Sequence, residues 1–418
     1  MFFSPVRWWR LLFQSLLLLG FGAVWVASPA VANEFQERQW HLDAMSAKEL
    51  WATSKGEGVV IAVLDSGVDP VPELQGRIVD EKNFAGKPPS EGSDGHAHGT
   101  FMATLISGTG KSGGVLGLAP GVDIMSLQTV HRESWIGGSE GKWVHAIRYA
   151  ADHGARIINL SQAVFGLTDG QARRLRSAVE YAQKKGVLIF AATGNDAMTT
   201  NDPGYPSVFP GVVGVGAVDQ MGKVADFSNY GPAVKLAAPG VDIPGRCESG
   251  HGLCRKGGTS ASTALASASA ALIWSKHPTW TGNQVLRVMM QTASKPKGKV
   301  PSPYIGYGII RPGQVLIDGK GDPGNPDVNP LLPREDKGEA GSGGGSSSAR
   351  SVPPSKGVEG GAGPEGVRRV VNGAASDGDG DGGGGSGFLW VLLGGGGVVV
   401  VAVTASLFAR ARRSQTTV

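Results

Sequence analysis

The chain has 418 residues, 39 Lys and Arg against 35 Asp and Glu for a formal net charge of +4, and two cysteines. Charges of both signs are scattered rather than gathered into the basic stripe of a nucleic-acid binder, and two cysteines exclude a disulfide-rich scaffold or an all-cysteine zinc site. Eighteen of the 66 glycines fall between Gly338 and Gly387, and no aromatic residue occurs from Arg311 to Gly387, so this stretch has too little apolar surface to offset the entropy of ordering it.

Read from the N-terminus, Arg7 and Arg10 precede an apolar run from Leu11 to Ala27 and an Ala30-Val31-Ala32 site. Basic, apolar and small-residue regions in that order predict a secretory signal peptide over 1–32, cleaved before Asn33. A folded domain is expected over 33–318. Within it, Gly58 to Leu64, Arg156 to Leu160, Val187 to Ala191 and Val212 to Val218 are apolar runs without alternation, as in strands buried on both faces of a parallel sheet. Helical spacing appears between them, with Val144, Ile147 and Ala151 in one segment and Leu175, Ala178, Val179 and Ala182 in another, closed by Gly186. Thr259 to Ser275 is Ala-rich and apolar nearly all round, which predicts a buried central helix. Strand and helix alternate, so the fold class is α/β, an open, mostly parallel sheet with helices on both faces and its site beyond the carboxyl ends of the strands.

Residues 319–387 are expected to be a disordered Pro/Gly/Ser-rich linker. Phe388 to Ala409 is a 22-residue uncharged span followed by Arg410, Arg412 and Arg413. That pattern predicts a transmembrane helix over 388–409 and a cytoplasmic tail over 410–418, with the domain outside the cell.

Four short motifs carry the chemistry. Asp65 ends the first buried run, in Asp65-Ser66-Gly67. His98 lies in His96-Ala97-His98-Gly99-Thr100, and only His98 is followed by Gly-Thr. Asn195 lies in Ala192-Thr193-Gly194-Asn195-Asp196. Ser260 lies in Gly257-Gly258-Thr259-Ser260 and opens the buried helix. Taken singly these are turn or cap residues. Together they supply a nucleophile, a base that works near neutral pH, a carboxylate to orient that base, and an amide that can donate to an oxyanion.

In this order the motifs resemble the subtilases, the subtilisin-like serine proteases. The resemblance runs from Gln39-Trp40 to Gly308, with Phe227-Ser228-Asn229-Tyr230-Gly231 and Ala237-Ala238-Pro239-Gly240 as further family segments. It implies a triad of Asp65, His98 and Ser260, with Asn195 and the Ser260 backbone N–H as oxyanion donors. It also implies substrate-binding roles for Ser161 and Gly194, and for Gly137 in a segment that would pair an extended peptide. Within the family, the signal peptide, linker and single C-terminal span resemble the mycosins, proteases associated with type VII secretion. A protein or peptide substrate, the membrane and secretion machinery are the partners this implies, with a scaffold role as the alternative to proteolysis.

The sequence departs from the family at Ala264, where a Pro is usual, and the stretch between Asn33 and Asp65 is too short for a folded pro-domain. Cys247 and Cys254, in an extracellular domain, are expected to form a disulfide. No cofactor is expected. Subtilases often bind structural calcium, but no cluster in the sequence identifies such a site, and Asp377 to Asp381 reads as an acidic spacer that lacks the closing Glu of a calcium loop.

Overall fold

The computed structural model describes residues 35–86, 97–130, 140–247 and 252–332. They fall within a unit ending at Glu339, separate from a second unit, Ala340–Val418. The expected signal peptide, His96, Gly137, and the expected membrane span and tail lie outside the described residues.

Seven strands form one sheet: β1 (Val60–Asp65), β2 (Ile78–Asn83), β3 (Asp123–Gln128), β4 (Ile157–Leu160), β5 (Leu188–Ala192), β6 (Val213–Val218) and β7 (Val234–Pro239). Their order is β2-β3-β1-β4-β5-β6-β7, and every pairing is parallel. The chain runs outward from β1 first to one side and then to the other. The order therefore reverses at β1, and a crevice opens at the carboxyl end of that strand. Asp65 is its last residue.

Both faces of the sheet are covered. On one, Ile61, Val63, Phe190 and Val215 pack under α3 (Ala97–Ser107), α6 (Thr259–Lys276) and α7 (Gly282–Thr292). On the other, Ala62, Leu64, Ile158 and Ile189 pack under α4 (Glu140–Asp152) and α5 (Asp169–Lys184). Successive residues of β1 thus serve opposite layers, which is why the strand reads as an unbroken apolar run.

Helix α6 is buried from Thr259 to Trp274 apart from the half-buried Ser260. Its small side chains let it lie close to the strands, and its hydroxyls find acceptors there. Ser262 Oγ donates to the Ala238 carbonyl (3.0 Å) and Ser267 Oγ to Asn159 Oδ1 (3.1 Å), so burying them leaves no orphaned group. The helix runs unbroken past Ala264.

An N-terminal arm carrying α1 (Trp40–Ala44) and α2 (Ala47–Trp51) straps the α6 face. Trp40 Nε1 donates to the Asp242 carbonyl (3.0 Å), Trp51 Nε1 to Leu118 (2.9 Å), and Ser54 Oγ to Leu272 of α6 (2.8 Å). A two-stranded hairpin, β8 (Ile243–Arg246) and β9 (Leu253–Lys256), leads into the Ser260 loop.

The expected linker boundary at residue 319 is corrected. After α8 (Pro312–Leu316), the chain to Leu332 lies along α7. Gln291 Oε1 accepts from the Asp322 N–H (2.7 Å), Gln284 Nε2 donates to the Gly324 carbonyl (3.0 Å), and Thr281 Oγ1 and Asn283 Nδ2 both donate to Pro326 (3.0 and 2.8 Å). Arg287 adds bonds to the carbonyls of Pro323, Asn325 and Val328. Side chains of α7 satisfy the backbone of a segment whose own composition is too polar and Pro-rich to form a core, which is why composition alone assigned it to the linker.

Candidate active site

Asp65 is fully buried where β1 ends. The next peptide N–H, of Ser66, turns back onto its Oδ1 at 2.7 Å, and the Asp65 carbonyl accepts from the Thr129 N–H at 2.7 Å. His98 stands in the first turn of α3. Its Nδ1 lies 2.9 Å from both Asp65 oxygens. A carboxylate only accepts, so Nδ1 carries the proton and Nε2 is left as the basic nitrogen. Helix and strand come this close because position 99 is glycine. A Cβ there would sit 2.0 Å from the Gly67 carbonyl oxygen. The approach is pinned by Ser66 Oγ accepting from the Gly99 N–H (3.1 Å) and Thr100 Oγ1 accepting from the Asp69 N–H (2.8 Å).

Ser260 is the second residue of α6, where backbone N–H groups have no acceptor within the helix. Its hydroxyl donates to the Ser161 carbonyl at 2.7 Å, and Ser161 Oγ donates to the Ser260 carbonyl at 2.9 Å. Ser161 follows β4 and is itself held by Asn159 Nδ2 at 2.9 Å. A hydroxyl has one proton, so in this arrangement that of Ser260 is engaged away from His98.

Asn195 is exposed beyond β5. Its Oδ1 accepts from the Thr259 N–H (2.9 Å) and from Thr259 Oγ1 (3.0 Å). A backbone N–H can only donate, which fixes the amide orientation: Oδ1 faces the helix start, and the NH2 group is turned outward as a free donor. Gly194 supports this turn with φ of +114°, and a Cβ there would meet Asn229 Nδ2 at 2.5 Å. Asn229 Oδ1 in turn accepts from the Asp196 N–H at 2.6 Å.

The fold thus gathers Asp65, His98, Ser260, Asn195, Ser161 and Gly194 at the carboxyl ends of β1, β4 and β5. Gly137 lies outside the described residues. Thr259, which fixes the Asn195 amide, and Asn229, which braces its loop, lie within the motifs, but one-dimensional spacing does not show who bonds whom. Cys247 and Cys254 fall on one face of the hairpin at diagonal positions, since Cys254 pairs with Gly245. The structure does not join them in a disulfide.

Residues 56–308 match the family described as the Subtilase family, peptidase S8. The chain belongs to that family. It is 35% identical over 260 residues to the thermostable alkaline protease of Halalkalibacterium halodurans, covering 62% of this chain and 68% of that one. It is 34% identical to subtilisin E of Bacillus subtilis, again over 260 residues, covering 61% and 65%. The chain therefore spans about two thirds of the length of these relatives. Among solved structures it is similar to MycP1 from the ESX-1 type VII secretion system, with a TM-score of 0.60 at 27% identity over 70% of this chain and 89% of that one. By family the chain is a subtilisin-like serine endopeptidase. Its kinship to a type VII protease agrees with the mycosin resemblance read from the sequence.

Proposed function

We propose that this subtilase is a membrane-anchored extracellular endopeptidase in which Asp65, His98 and Ser260 form the catalytic triad. The observation that carries the reading is the Asp65–His98 pair, with Nδ1 committed to the carboxylate and Nε2 left as a base. Rotation about the Ser260 side chain moves its hydroxyl from the Ser161 carbonyl to His98 Nε2. Ser260 Oγ then attacks the peptide carbonyl while Nε2 takes its proton, and Asp65 stabilises the imidazolium. The Asn195 NH2 and the Ser260 N–H receive the oxyanion. His98 returns the proton to the leaving amine, and water hydrolyses the acyl-enzyme by the same route in reverse.

Labelling by a serine-directed fluorophosphonate probe tests the triad. Wild type takes up the probe, and Ser260→Ala does not. Retained labelling and peptidase activity in Ser260→Ala overturns the assignment. The likeness to MycP1 supports an association with type VII secretion, and secretion supported in full by Ser260→Ala would favour a scaffold role over proteolysis. We also propose that Cys247 and Cys254 are oxidised to a disulfide in the secreted protein. Mass spectrometry of non-reduced protein showing two thiols would refute that.

A further inference from the structure

Gln162 follows Ser161 at the end of β4 and is buried. Its Nε2 points at Asp65 Oδ1 from 3.5 Å, and its Oε1 has no hydrogen-bond partner among the described residues. The amide cannot be turned over, because Oε1 against a carboxylate would set two acceptors face to face. The side chain is therefore held with its donor on Asp65 at the expense of an orphaned acceptor. Leaving a buried amide oxygen without a donor destabilises the fold, a loss that an apolar side chain of similar size would not incur. A glutamine that served packing alone would have both ends satisfied or would not be there.

We infer that Gln162 is a positioning residue for the catalytic carboxylate, a third donor to Asp65 Oδ1 beside the Ser66 N–H and His98 Nδ1. This rests on the triad reading above. Oδ1 receives Ser66 at 2.7 Å and His98 at 2.9 Å, with Gln162 at the outer limit of hydrogen-bond length. In a buried site a dipole aimed at a carboxylate acts strongly even at that separation, and catalytic hydrogen bonds tighten once substrate excludes water. Among the described residues, the titratable groups in direct contact are Asp65 on β1 and His98 on α3. The amide donor draws negative charge from Asp65 and so limits how firmly the carboxylate holds a proton on His98. It keeps His98 a base at lower pH than the pair alone would.

The test is the pH profile of kcat/KM for peptide hydrolysis by the full chain in Gln162→Met and Gln162→Leu. Both are apolar and of similar volume, so they also remove the orphaned acceptor. The acid limb should move to higher pH by about 0.3–1 unit, with Tm equal to or above wild type. The His98 Nδ1 proton should shift further downfield in the NMR spectrum. An acid limb and proton resonance that coincide with wild type in a folded variant overturn the inference. Ser260→Ala separates the two readings. If it retains activity, the triad assignment falls. If it is inactive while the Gln162→Met limb stays in place, only the role of Gln162 falls.

Discussion

Ser260 and Ser161 exchange two hydrogen bonds, each hydroxyl donating to the other's backbone carbonyl, at 2.7 and 2.9 Å. The first bond parks the Ser260 hydroxyl proton, and the second ties the start of α6 to the end of β4. Behind Ser161, Asn159 and Ser267 carry the same chain of bonds into the core. Ser161→Ala keeps the accepting carbonyl and loses the tie, leaving Asn159 Nδ2 without its acceptor. It should lower stability by about 1–3 kcal/mol. Because nucleophile placement loosens, kcat should fall by roughly ten- to a hundredfold. Thermal unfolding and steady-state kinetics check both, and unchanged kcat would mean the tie is only structural.

Removal of the proposed nucleophile and of the proposed oxyanion donor should differ in scale. Ser260→Ala should lower kcat by about 10⁶, a magnitude carried over from subtilisin, a relative. Asn195→Ala should cost about 10²–10³ in kcat with little change in KM, again on that relative's scale. Thr259→Val, which removes one of the two donors fixing the Asn195 amide, should give a smaller loss in the same parameter.

His41, in the N-terminal arm, is fully buried, and neither ring nitrogen is hydrogen-bonded among the described residues. Burial pushes its pKa down from 6.5 to about 3. The unfolded chain takes up this proton below pH ~6.5, whereas the folded one holds the ring neutral until about pH 3. Stability is therefore full above pH ~6.5 and is lost as pH falls, by about 1.4 kcal/mol per unit across the window. Unfolding free energies from denaturant titrations at pH 7 and pH 5 should differ by roughly 2 kcal/mol from this group. His41→Phe should narrow that gap. If it leaves the gap as wide as before, His41 is not its source.

Glu73 is fully buried and meets Arg246 of β8 through two bonds, 2.9 and 2.8 Å. The pair fastens the hairpin that precedes the nucleophile loop to the segment following β1. Arg246→Met leaves a buried carboxylate alone and should cost about 3–5 kcal/mol. The double variant Glu73→Leu with Arg246→Met should recover most of that loss. A double variant as unstable as the single one would show that packing around Arg246, rather than the charge, carries the effect.

For the proposed anchoring, protease protection on intact cells is decisive. A tag after Val418 should be shielded, and a tag placed near Gly345 should be cut. Digestion of the C-terminal tag from outside would reverse the topology.

The meeting of Asp65 with His98 and the strands β1, β4, β5 and β6 were legible in the sequence because their causes are local. An unbroken apolar run is what a strand covered on both sides requires, and each motif residue ends or opens an element. The strands β2, β3 and β7 were not, β3 because Ser126 and Gln128 interrupt its apolar residues. β2 reads Ile-Val-Asp-Glu-Lys-Asn because it is the sheet's edge and faces water, and β7 carries Lys235 and ends in Pro239. The buried polar partners were equally hidden. Gln162 reads as a surface residue until the fold sets it against Asp65, and 319–332 reads as a tether until Arg287 collects its carbonyls.

The docking of that segment also fixes where load enters the domain. From Asp322, beside Gln291, to Pro326, beside Thr281, the chain retraces α7 toward its first turn. There Gly282 lies against Gly186 and Leu188, at the amino end of β5. Asp65, His98 and Ser260 lie at the opposite, carboxyl edge of the same sheet. A pull on this segment is borne first by Thr281 and the side chains of α7, away from the carboxyl edge of the sheet.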